Sequence, residues 1–146
     1  MGYLFFKDNT KKSLSKMNLD YMSSNGVSYV YSKILKEYFS SVCYKELNTI
    51  VIQCKNILGS YLPECQYLPL YYLSKIKDTM SLDCKVFIFA LILITIKFVE
   101  DEYPSNKGIA TIFNLDSKLL NQYEIKILQD LNYNLYLNGE DYELFL

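Results

Sequence analysis

The sequence contains no histidine, no arginine and no tryptophan, so all 15 of its basic side chains are lysines. Without histidine it lacks the side chain most often used for acid–base catalysis near neutral pH, which is also the commonest metal ligand. Without arginine it cannot form bidentate pairs with carboxylate, phosphate or guanine. These absences argue against an enzyme and a metal site, although the codon bias of an AT-rich genome explains the missing arginine equally well.

The chain also lacks an excess of charge of either sign. Its 15 basic and 16 acidic residues give a formal net charge of -1, whereas a nucleic-acid binder needs a basic excess to neutralise phosphates. Only five glycines occur, and no phosphate-loop, dinucleotide-binding, zinc-protease or nucleophile-elbow motif is present. We therefore expect no catalytic residue, no cofactor, no small-molecule ligand and no nucleic-acid partner.

Hydrophobic residues make up 51% of the 146 positions, which is enough for one substantial core. The longest apolar run, Val86 to Ile96, is interrupted only by Thr95. Because it is far shorter than the roughly 20 residues that a bilayer requires, it predicts a helix buried on all sides rather than a membrane span. No secretory signal is recognisable at the N-terminus.

Four cysteines occur, and no two of them form a C-x-x-C pair: Cys43, Cys54, Cys65 and Cys84. Without histidine they cannot complete a common zinc site. They predict reduced, mostly buried thiols in an intracellular protein, whether cytoplasmic or nuclear.

Helical periodicity predicts an all-α domain preceded by a flexible arm at residues 1–26, which ends in the breaker Ser23 to Gly26. An amphipathic helix is expected over 27–42, with a second from Tyr44 to Gly59. Pro63 suits the first turn of a third helix reaching Ile76, although Pro69 leaves its true start open.

Three further helices are expected in the second half of the chain. Ser81 or its neighbour caps a helix over 82–99. Ser105 caps a short helix with Ile109, Ile112 and Phe113 on one side. Asp116 caps the last helix, which runs to about Leu131.

Two charged residues lie in unexpected places on the most apolar helices. Lys97 interrupts the apolar run, and Glu124 falls near the edge of the apolar stripe of the last helix. Both side chains can extend to water, which is the usual behaviour of long charged residues beside apolar faces. Alternatively they meet as a partly buried pair, and such a pair makes more sense if it serves a partner than if it serves stability.

The stretch 69–137 resembles a cyclin box, a fold of five helices wrapped around the third. The resemblance is carried by PLYYLSKI, by IKFVEDEYPSN after the apolar helix, and by LLNQYEIKILQDLNYNLYL. Ser105–Asn106 and the Leu120-Asn121-x-x-Glu124 sequence are most similar to the P-type group, which is related to fungal phosphate-regulation cyclins. This resemblance implies a single five-helix cyclin box at 43–137, with an additional N-terminal helix at 27–42 and a C-terminal tail at 138–146.

In function, the resemblance implies a regulatory subunit that binds and activates a cyclin-dependent protein kinase and has no enzymatic activity of its own. Lys97 and Glu124 correspond to the lysine and glutamate with which cyclins bind the kinase near its mobile regulatory helix. Asp101 falls where P-type cyclins can offer an acid to the kinase activation segment, and Phe98 to Tyr103 form the adjoining turn. The sequence lacks the M-R-x-I-L-type opening, so a substrate-docking patch of the animal kind is not expected.

Two other interpretations stay open. The chain can be a cyclin-box scaffold or transcription-factor-like module that does not activate a kinase. It can also be a helical adaptor with only accidental likeness to cyclins, which predicts that Lys97 and Glu124 are exposed and unpaired.

Overall fold

Every regular element in the computed structural model is an α-helix, and the residues that the structure describes are 24–79, 82–137, 139, 140 and 142. The helices are α1 (Ser24–Tyr38), α2 (Tyr44–Tyr61), α3 (Leu68–Leu73), α4 (Cys84–Val99), α5 (Asn106–Phe113) and α6 (Ser117–Asp130). The all-α prediction is therefore confirmed over this part of the chain. The predicted arm up to residue 23 and most of the predicted tail lie outside the described residues.

Helix α4 forms the centre of the core, and all but three of its sixteen residues are buried. It packs against α2, α3 and α6. Its first turn is capped by Asp83, whose carboxylate accepts a hydrogen bond of 3.0 Å from the Val86 N–H. Its one buried polar side chain, Thr95, donates to the Leu91 carbonyl within the helix. The prediction of a helix buried on all sides is therefore confirmed. None of the six described helices is long and apolar enough to span a membrane.

Helix α1 packs onto this core through one stripe of residues four positions apart. Val27, Tyr31, Leu35 and Phe39 are all buried, as expected for side chains on one face of a helix. The Tyr31 hydroxyl donates to the carbonyl of residue 66, and the rings of Phe39 and Phe87 lie 5.6 Å apart. Residues 27 to 39 are thus part of the same packed unit as α4.

The ends of α1 differ from the prediction. The helix begins at Ser24, so the expected breaker over 24–26 is wrong, because small polar residues and glycine are well tolerated at a helix start. It ends at Tyr38 rather than Val42. There Lys36 donates to the carbonyls of Ser40 and Val42, and Thr79 donates to the Tyr38 carbonyl.

The boundary between α2 and α3 also differs. Helix α2 continues through Gly59 to Tyr61, so Gly59 does not stop it; the backbone there does not adopt the left-handed conformation that ends many helices. Helix α3 is only six residues long, and the proline in its first turn is Pro69, not Pro63. Pro63 instead follows the end of α2, where it prevents the helix from continuing.

Helix α5 buries a narrower face than expected. Ile109 and Ala110 are buried, and the Phe113 ring lies 4.7 Å from that of Phe89. The prediction is wrong for Ile112, which is 72% exposed. It lies about 100° around the helix from the middle of the face formed by the other three residues.

The cysteines behave as predicted for reduced thiols. None of the four forms a disulfide, and all except Cys43 are buried. Burial raises the pKa of Cys84 to about 12 and raises the pKa of Cys54 further. Both therefore stay protonated and unreactive at neutral pH.

Candidate functional site

The two charged residues singled out in the sequence meet at the surface between α4 and α6. The Lys97 ammonium lies 2.9 Å from Oε1 and 3.1 Å from Oε2 of Glu124. It also donates to the Asn106 side-chain oxygen at 2.7 Å. The Asn106 amide in turn donates to Asn121 Oδ1 at 2.8 Å and lies 3.4 Å from Glu124 Oε2. We call Lys97, Asn106, Asn121 and Glu124 the polar cluster.

Local sequence signals position each member of this cluster. Lys97 lies in the last turn of α4, where a cation interacts favourably with the helix dipole. Asn106 is the first residue of α5, which starts there because the Ser105 side chain accepts the Gly108 N–H at 2.9 Å. Asn121 and Glu124 are three residues apart on α6 and hence on the same face. Three helices therefore converge on one ion pair.

The pair is partly shielded from water. The Lys97 side chain is 29% exposed and that of Glu124 is 17% exposed. By contrast, the second ion pair on α6, Lys126 with Asp130, spans one helical turn and is 40% and 35% exposed. Shielding strengthens the attraction of Lys97 for Glu124 but also costs hydration of both charges, so the pair adds little net stability. It does fix both side chains in one geometry.

An apolar groove lies directly beside the polar cluster. It has a volume of about 340 Å³ and is lined by Ile94, Phe98, Leu128 and Leu135 together with Lys97 and Glu124. The surface thus combines a charged hydrogen-bonding centre with an apolar depression. This combination of a few fixed polar groups and apolar contact area is typical of binding surfaces.

The structure brings together most of the residues named from the sequence. Phe98 is half-buried and lines the groove. Tyr103 is 53% exposed, and its ring centroid lies 6.0 Å from the Lys97 ammonium. Asp101 is exposed on the same loop between α4 and α5 and is not a member of the polar cluster.

Asn106 and Asn121 were missed as site residues. The sequence offered a partial signal, since Asn121 lies one helical turn before Glu124 and therefore on the same face. Asn106 was noted only as part of the Ser105–Asn106 pair, and nothing local predicts its contact with Lys97, because that contact depends on how the α4–α5 loop folds back. The expectation that Lys97 and Glu124 would be exposed and unpaired, which follows from accidental likeness to cyclins, is wrong.

Within the described residues no group of histidine, cysteine, aspartate or glutamate side chains could hold a metal ion. Comparisons with protein-family models, with curated proteins and with solved structures give no significant match to this chain.

Proposed function

We propose that this chain is a cyclin-like regulatory subunit that binds and activates a cyclin-dependent protein kinase. The observation that carries the proposal is the Lys97–Glu124 pair, held at the surface beside an apolar groove. These are the two residues that the sequence resemblance assigns to kinase binding. Nothing local in the sequence predicts their contact, because the two residues lie 27 positions apart.

The geometry of the pair suits recognition of a partner's backbone. Glu124 holds the Lys97 ammonium in a fixed position, and both side chains retain some exposure. A lysine can donate to the carbonyl groups of a partner segment, and a carboxylate can accept from its N–H groups. Since the two side chains are already ordered, less conformational entropy is lost on binding.

The order of the helices supports the same proposal. Helix α1 is followed by the five helices α2 to α6. The third of these five, α4, has thirteen of its sixteen residues buried and packs against α2, α3 and α6. A box of five helices around a central third helix is what the resemblance implies. Helix α1 packs onto these five helices, and the hydrogen bond from the Tyr31 hydroxyl to the carbonyl of residue 66 is one of its contacts with them.

In the proposed mechanism the chain performs no chemistry itself. The polar cluster and groove bind the kinase near its mobile regulatory helix, and the loop bearing Asp101 and Tyr103 adjoins the activation segment. Binding favours the kinase conformation competent for phosphoryl transfer, and this shift is driven by differential affinity for the two conformations. ATP, metal ions and catalytic residues belong to the kinase.

The proposal is tested by mixing the purified chain with each cyclin-dependent kinase of the same organism. Co-elution is followed by size-exclusion chromatography, and phosphorylation of a generic substrate is followed with and without the chain. We expect one kinase to co-elute and to gain activity. Co-elution without stimulation would instead favour a cyclin-box scaffold, and binding to none of the kinases would overturn the proposal.

A further inference from the structure

Tyr103 has an exposed phenol ring beside the Lys97–Glu124 pair. It lies in the non-helical loop between α4 and α5, is 53% exposed, and has its ring centroid 6.0 Å from the Lys97 ammonium. No described residue forms a hydrogen bond with its hydroxyl group. By contrast, the hydroxyl groups of Tyr72 and Tyr123 each bond to the backbone of a distant segment.

We propose that Tyr103 is a site of phosphorylation by a tyrosine kinase, and that the resulting phosphate engages Lys97. In the reaction the Tyr103 hydroxyl oxygen attacks the γ-phosphorus of ATP. A new oxygen–phosphorus bond forms, the bond to the β–γ bridging oxygen breaks, ADP leaves and the phenolic proton is released. All co-reactants are those of an ordinary protein kinase.

Tyr103 differs from the other exposed tyrosines by its surroundings. The three residues directly before it are all acidic: Glu100, Asp101 and Glu102. A kinase with a basic substrate-binding surface attracts such a segment. Among the described residues the other exposed tyrosines are Tyr29, Tyr44, Tyr133 and Tyr136. None of these four follows such an acidic run.

Tyr136 is the best internal control. It is 62% exposed and lies outside the helices, as Tyr103 does. The three residues before it are uncharged. Tyr29 and Tyr44 instead lie in helices, where the backbone cannot adopt the extended form in which peptides commonly bind to grooves.

The phosphate would change the electrostatics of the polar cluster. It carries a charge of about -1.5 to -2 and three strong acceptor oxygens. The carboxylates of the preceding loop residues repel it, whereas the Lys97 ammonium attracts it. It therefore competes with Glu124 for Lys97 and repels the Glu124 carboxylate. This step rests on the proposed function: phosphorylation of Tyr103 weakens binding of the kinase.

The first test maps phosphorylation sites on the full chain, using a broad-specificity tyrosine kinase domain with MgATP and time-resolved mass spectrometry. We expect Tyr103 to be modified about tenfold faster than Tyr136. The double variant Asp101→Asn/Glu102→Gln should remove most of this difference without changing the rate at Tyr136. Equal rates at the two tyrosines, or no effect of the double variant, would contradict the assignment of the site.

The second test asks whether the phosphate reaches Lys97, independently of any kinase partner. The ³¹P resonance of phosphorylated Tyr103 should shift when Lys97→Met is introduced, and it should not shift with Lys126→Met. The same resonance in both variants would overturn the engagement of Lys97. Circular dichroism of each variant confirms that the helices are retained.

The third test measures binding of the kinase partner before and after phosphorylation, in a Tyr136→Phe background that removes the competing site. We expect about tenfold weaker binding, which corresponds to the loss of one charge-assisted hydrogen bond, and recovery after phosphatase treatment. Unchanged binding would refute this effect of phosphorylation. Failure of the unmodified chain to bind any kinase would refute the proposed function, while the first two tests would still decide on the site.

Discussion

At the scale of single residues, lysine side chains donate the charged hydrogen bonds for which many proteins use arginine. Lys36 holds the carbonyls of Ser40 and Val42 in the turn after α1, and Lys85 donates to the Phe113 carbonyl at the end of α5 at 2.7 Å. The Phe113 carbonyl is one that a helix end leaves without a partner, whereas the carbonyls of Ser40 and Val42 lie beyond the last residue of α1. Lys97 differs from both, because it binds a carboxylate at the edge of a groove.

The two ion pairs of α6 provide a matched comparison of stability. Replacement of Glu124 by glutamine removes the charge that faces partly shielded Lys97, and we expect a loss of about 1 to 2 kcal/mol in the free energy of unfolding. Replacement of Asp130 by asparagine likewise removes the acid of its pair with Lys126, which is more exposed, and should cost less than about 0.5 kcal/mol. Urea denaturation of both variants measures the difference, and equal losses would contradict the shielding of the Lys97–Glu124 pair.

At the scale of elements, the buried helix α4 and the half-exposed helix α2 are expected to respond very differently to the same substitution. Ile92 is fully buried in α4, whereas Ile52 on α2 is 62% exposed. Ile92→Ala should cost about 2 to 5 kcal/mol because it leaves a cavity. Ile52→Ala should cost less than about 0.5 kcal/mol.

Thermal and urea denaturation of these two variants test the position of α4 in the core. Both substitutions remove the same groups from a helix, so differences in helix propensity cancel. A loss of less than 1 kcal/mol for Ile92→Ala, or equal losses at the two positions, would contradict a core centred on α4.

Helix starts were predictable from the sequence wherever the signal is local. Ser105 and Asp116 were both identified as caps, and each accepts backbone N–H groups in the first turn of its helix. For α4 the sequence indicated Ser81 or its neighbour, whereas the cap is Asp83. Neighbouring polar residues offer almost equivalent caps, and packing of the following helix decides among them.

Helix ends and the polar cluster depended on contacts that the sequence does not reveal. Helix α1 stops at Tyr38, where Thr79 binds its last carbonyl from 41 residues away. Similarly, Asn106 joins Lys97 only because α5 turns back beside the end of α4. The charge pattern could indicate that Lys97 and Glu124 were unusual, but the four-membered cluster required the tertiary fold.

At the scale of the whole molecule, the absence of histidine and the burial of phenols and thiols determine the dependence of stability on pH. No side chain of ordinary pKa titrates between about pH 5 and 8. Burial raises the pKa of Cys54, Cys84, Tyr31 and Tyr72 above their ordinary values. In alkaline solution the unfolded chain releases these protons first, so the folded state binds more protons than the unfolded state.

We therefore expect the free energy of unfolding to be level from about pH 6 to 8 and to fall as the pH rises above about 9. Urea denaturation at pH 7, 9 and 10.5 measures this fall. The variant Cys84→Ala should show a shallower fall, because one of the four groups is removed. Stability that stayed constant or rose between pH 8 and 10.5 would contradict the burial of these groups.

Under the proposed function, the Lys97–Glu124 pair serves a partner rather than the stability of the fold. The most direct test is the dissociation constant of the kinase complex for Lys97→Ala/Glu124→Ala, measured by isothermal titration calorimetry beside the control Lys126→Ala/Asp130→Ala. We predict that the first variant keeps its helical circular dichroism and binds the kinase at least about tenfold more weakly. The control should bind as the unmodified chain does. Full-strength binding by the Lys97→Ala/Glu124→Ala variant would contradict the claim.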